Sequence, residues 1–227
     1  MVAKAQARIP VQAPTFTRLL ARLAGEPVPA TGDGLTGVLD QWIDWNRAVA
    51  LARALDLRPE PVEPQAAADP DEYLRIRQGL GEGILAERGL APAALDPANA
   101  DFTPWRQHCL STQRAIQAAC GRLRGVLRDQ VAAVSPELAR LAAVDAVMEQ
   151  ILSPREHALL GRVADVLQFR FEQLCREAAG GEEASGDAWL RIFRHEVQEV
   201  LLGELDLRFQ PIQALCEALR IPPTESR

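Results

Sequence analysis

The chain has 227 residues, 48% of them hydrophobic and 5% aromatic, and its 25 Lys and Arg against 31 Asp and Glu leave a formal charge of −6. That length suffices to bury a sizeable core in one body or one body with an appendage, while the acidic balance argues against a general nucleic-acid binder, which carries a basic excess. No run approaches the roughly 18 apolar residues of a membrane span, and MVAKAQARIPVQ lacks an apolar stretch of signal-peptide type, so a cytoplasmic chain with no direct membrane insertion is expected.

Helix-forming Leu, Ala, Arg and Glu far outnumber β-branched residues, and there is a single Tyr. The expected class is all-α, a multi-helix bundle of seven to eight helices. Residues 1–14, with Lys4, Arg8 and two prolines, read as a flexible arm. From Thr15 a short helix puts Phe16, Leu19, Leu20 and Leu23 on one face and stops at Gly25. The next helix, expected from about Leu35 to Leu55, has two apolar rows, Val38, Trp42, Trp45 and Val49 beside Leu39, Ile43 and Ala50. So wide a face belongs to a bundle centre or covers a second contact. Residues 15–56 thus form an N-terminal helical pair, and the Pro-rich acidic run 57–69 reads as a linker before a main bundle over 70–220 and a flexible tail over 221–227.

Three sites in that bundle, Thr103-Pro104, Ser135-Pro136 and Ser153-Pro154, place a hydroxyl before a proline. A proline at the first helical position loses no hydrogen bond there, and the preceding oxygen can cap an orphan N–H, so each dipeptide predicts a helix start. An earlier helix from Asp69-Pro70 contains Gly79, Gly81 and Gly83; GLGEG lacks the strand before it and the Lys-Ser/Thr after it that a phosphate loop requires. The helix over 104–134 places Cys109, Ile116, Cys120, Leu123, Leu127, Val131 and Val134 inward and five arginines, Arg106, Arg114, Arg122, Arg124 and Arg128, outward against the single Asp129. Two further helices follow over 136–152 and 154–179, the second opened by a capping box at Ser153 and Glu156 and closed by Gly180-Gly181. The helix over 187–207 buries Trp189, Phe193, Val197, Val200 and Leu201 and is expected to expose Glu196, Glu199, Glu204 and Asp206 before Pro211 kinks or restarts the chain, with a last short helix over 211–220.

Chemistry-bearing motifs are scarce. Cys109, Cys120, Cys175 and Cys216 include no C-x-x-C pair and read as small buried hydrophobes. None of His108, His157 and His195 completes H-E-x-x-H or E-x-x-H, and no G-x-S-x-G, Walker loop or EF-hand is present, so no catalytic residue, cofactor or metal is assigned. The expectation is a non-catalytic interaction protein whose candidate contacts are Trp42 and Trp45 on one helix and Arg114, Arg122, Arg124 and Arg128 on another. Its partner would be a protein with an acidic surface or a second copy of the chain. A ligand-binding or enzymatic bundle using Trp42/Trp45 or His108/Cys109 is the alternative, and a nucleic-acid-binding regulator using the arginines is a third.

Several phrases, RLLARLA at 18–24, LDQWIDWNRAVALARAL at 39–55, TPWRQHCLSTQRAIQ at 103–117, SPELARLAAVDAVMEQIL at 135–152 and VLLGELDLRFQPIQALCEAL at 200–219, together resemble an uncharacterised proteobacterial family, a domain of unknown function of about this length. The family assigns no catalytic residues to carry over. Its members tend to be encoded beside inner-membrane proton-channel-like and OmpA-like peptidoglycan-binding proteins, so the resemblance implies an accessory role in a cell-envelope, membrane-associated complex.

Overall fold

The computed structural model of the chain describes residues 15–27, 42–57, 72–86, 99–180 and 188–220. The all-α expectation holds, since nearly all of these residues are helical and none is in a strand. The helices are α1 (Thr15–Ala24), α2 (Trp45–Leu55), α3 (Glu72–Ala86), α4 (Thr103–Val134), α5 (Pro136–Leu160), α6 (Val163–Gly180) and α7 (Ala188–Arg220). The expected arm, the linker over 58–69, the tail and the first turns of the predicted 35–55 helix lie outside the described residues.

Local chemistry explains most boundaries and corrects three. Gly25 closes α1 in the left-handed conformation, φ 67°, which lets Glu26 donate its N–H to the Ala21 carbonyl at 3.0 Å. Ser135 caps α5 as predicted, its Oγ accepting the Leu138 N–H at 3.3 Å with Pro136 in the first turn. Thr103, by contrast, lies inside α4, and the carboxylate of Asp101 accepts the Thr103 N–H at 2.8 Å. That bond holds the Asp101 carboxyl below the usual carboxylate range. Ser153-Pro154 starts nothing. It sits within α5, where Ile151 before the proline and Leu160 after it are both buried, and the break comes at Gly161 and Arg162. Pro211 likewise leaves α7 unbroken: it removes one hydrogen bond to Leu207, while Phe209, Ile212 and Leu215 around it are all buried. The predicted segments 187–207 and 211–220 are therefore one helix.

Inter-helix pairs set the topology. Trp105 meets Phe193 and, two turns on, Gln113 meets Glu204, so the two longest helices, α4 and α7, run parallel through the core. The α5–α6 rod runs antiparallel to α4, with Arg124 on Asp145 at one end and Phe102 on Phe171 at the other. On the outer side of α7, α3 and α1 both lie antiparallel, pinned by Arg77–Asp206 and by Arg22–Glu199 at 3.0 Å. Gly203 makes the second seat possible, since a Cβ there would stand 2.8 Å from the Phe16 ring. The short α2 packs antiparallel on α5, from Arg155 over the Trp42 ring at 5.0 Å to Arg140 Nε donating to the Leu57 carbonyl at 3.1 Å.

Candidate functional site

The arginines of α4 separate into two groups. Arg124 grips Asp145 with two hydrogen bonds, Nε at 2.8 Å and Nη2 at 2.7 Å, and Arg128 pairs with the same Asp145 and with Glu149. Burial works against the charge on Arg124, but Asp145 and Glu149 outweigh it and hold the guanidinium pKa above its ordinary value. Arg106 reaches Asp165 on α6. Arg114 and Arg122 stand exposed, with neither an ion pair nor a side-chain hydrogen bond among the described residues. Of the α4 arginines, Arg106, Arg124 and Arg128 are thus neutralised by α5 and α6. The acidic side of α7 serves other cations: Glu196 takes Arg170, Glu199 takes Arg22 and Asp206 takes Arg77.

The fourth member of that acidic set is a correction. Glu204, expected on the surface, is fully buried. One carboxylate oxygen accepts Gln113 Nε2 at 2.7 Å and the other accepts Arg208 Nε at 2.9 Å; Gln113 Nε2 also donates to the Leu160 carbonyl at 3.0 Å, and Arg208 reaches on to Glu156 at 2.7 Å. This chain crosses α4, α5 and α7 and satisfies each charge with its neighbour. The signal was available: Glu204 falls seven residues after Val197 and four before Arg208, on the inward stripe of its helix.

The tryptophans also part company. Helix α2 begins at Trp45, with Asp44 Oδ1 accepting the Arg47 N–H at 2.9 Å as its cap, so Trp42 precedes the helix and the two rings do not stack one turn apart on it as the sequence suggests. Trp42 is half-buried beneath Arg155. Trp45 is 81% exposed. Leu55 and Leu57 at the other end of α2 are exposed as well, near the exposed Leu141 of α5, and Arg53 beside them has no ion pair among the described residues.

His108 and Cys109 are adjacent but not partnered. Burial pushes the Cys109 thiol up to about 12, with Glu204 adding to it, and that of Cys120 up to about 11, so both stay protonated at neutral pH. The half-buried His108 has its pKa lowered by burial, and its buried Nε2 meets no hydrogen-bond partner among the described residues. Neither arrangement prepares a nucleophile and base. Among the described residues no group of three or more His, Cys, Asp or Glu could hold a metal ion, and no helix is long and apolar enough to cross a membrane.

Compared with known proteins, the chain matches over residues 2–221 the family described as protein of unknown function (DUF3348), and it belongs to that family. No curated protein and no solved structure matches it.

Proposed function

We propose that this DUF3348 member is a non-catalytic accessory protein that docks another protein through α2. The observation that carries this reading is Trp45. An indole with 81% of its surface open, at the start of a helix whose main contact among the described residues is α5, is of a residue type enriched at protein-interface anchors. Arg53 adds an unpaired cation near Leu55 and Leu57, which suits a partner whose apolar surface is edged with carboxylates. The setting implied by the sequence resemblance, an accessory role in a cell-envelope assembly, accommodates such a partner, and a cytoplasmic location belongs to the same proposal.

Capture experiments with the wild type and Trp45→Ser, each with a melting curve, test the reading. Loss of one specific acidic partner in the variant with melting unchanged is expected, because Trp45 contributes little to the core. An identical partner set for both proteins overturns it.

A further inference from the structure

In a bundle whose other long-helix arginines are largely paired, three charges on the solvent face of α4 are not: Arg114, Arg122 and Asp129 have no ion-pair partner among the described residues. Their positions relate to one another. Arg114 and Asp129 are fifteen residues apart, about four helical turns, so they share one face of α4 with their midpoint between residues 121 and 122, and the face between them is low. It carries Ala118, Gly121 and Gly125, and a Cβ added to either glycine meets nothing within 4 Å. Glycine in a helix interior costs about 1 kcal/mol relative to alanine, and nothing among the described residues requires it at these two positions. Val126 on the same side is 48% exposed.

We propose that this face of α4 binds a second copy of the chain, with the two α4 helices antiparallel about a two-fold axis at that midpoint. A second copy is the occupant whose charges fit by construction. Rotation about this axis places Arg114 of each copy against Asp129 of the other, and Ala118 of each against Gly125 of the other, so one surface supplies both halves of its own complement. The small residues allow the helix backbones to approach closely, which the two ion pairs at the ends then hold in register. Arg122 is the residue that opposes the contact. It lies beside the axis near its symmetry mate and extends its guanidinium into solvent at the edge.

The proposal does not depend on Trp45. It is tested by sedimentation of the full chain at concentrations up to about 100 µM, since a contact built from one helix face lies at the small end of interface sizes. A monomer–dimer equilibrium is expected. Arg114→Asp and Asp129→Arg should each weaken it roughly tenfold, because each substitution acts twice under two-fold symmetry, and the double variant should restore it. Gly125→Leu should abolish the dimer without lowering the melting temperature, as the added side chain has open space in the monomer. Arg122→Ala should tighten the dimer, and Trp45→Ser should leave it unchanged. A wild type that stays monomeric throughout, a double charge reversal that fails to restore dimerisation, or weakening by Arg122→Ala, the result expected of an acidic foreign partner, overturns the proposal.

Discussion

The core shared by α4, α5, α6 and α7 has two parts built on opposite principles, an aromatic end and a polar layer midway along α4 and α7 with apolar packing beyond it. At the aromatic end Phe102, Trp105, Phe171, Trp189 and Phe193 pack together, with Phe193 centred 5.1 Å from Trp105 and 5.0 Å from Phe171. In the layer, Gln113, Glu204, Arg208 and Glu156 pass hydrogen bonds across three helices. The aromatic end gains stability from area and ring geometry but tolerates many rotations of one helix against another. The polar layer adds little net stability, since desolvation offsets its attraction, yet it is satisfied in only one axial register. One part holds the helices together and the other decides how far along each other they lie.

The largest expected effect tests the first half of that contrast. Phe193→Ala, which empties the centre of the ring cluster, should cost about 3–5 kcal/mol in denaturant unfolding. Removing Glu204 alone should approach it: Glu204→Ala strands Gln113 and the nearly buried Arg208 and should cost about 3 kcal/mol or more. Replacing the three most buried members of the layer, and leaving the more exposed Glu156 to solvent, separates the two parts most sharply. A Gln113→Leu, Glu204→Leu, Arg208→Met triple variant should unfold within about 1 kcal/mol of the wild type or above it, while its amide exchange across α4 and α7 becomes more uniform and less protected as register is lost.

A smaller effect is expected where the two parts meet. The unfolded His108 imidazole titrates near 6.5, and its folded pKa is lower because burial disfavours the charged ring. Below that value the unfolded chain binds the extra proton more readily, so this stability is present above pH 6.5 and is lost as the pH falls. Melting temperature should decline as the pH falls below about 6.5, and His108→Gln should flatten the decline. Smallest of all is a reactivity difference: a thiol reagent should modify the half-exposed Cys175 first and reach Cys109 only on unfolding, and Cys175→Ser should remove the early phase.

The contrast also explains what could be read from the residues. The aromatic end was legible because Trp189, Phe193 and Val197 repeat with the period of a helix, and burial follows from that pattern alone. Glu204 was not, although it occupies the same stripe, because a carboxylate is assigned to the surface unless its donors are known, and Gln113 lies 91 residues away in the chain. Ser153-Pro154 and Pro211 misled for a related reason. A proline's local cost is fixed, but whether the helix continues depends on the burial of the residues around it, as Ile151, Phe209 and Ile212 show. Of the candidate surface residues, the sequence placed Arg114 and Arg122 in solvent correctly, but it did not separate them from Arg124 and Arg128, whose acidic partners lie on the next helix.

The seat of α1 on α7 sets an order of events during synthesis. Arg22 and Glu199 are 177 residues apart, so Phe16, Leu19, Leu20 and Leu23 leave the ribosome long before the helix that will cover them exists. At translation rates of about 5–20 residues per second, that apolar face waits roughly 10–35 s without its final partner. The first helix made is among the last to dock, and any chaperone that attends this chain has its earliest and longest opportunity there.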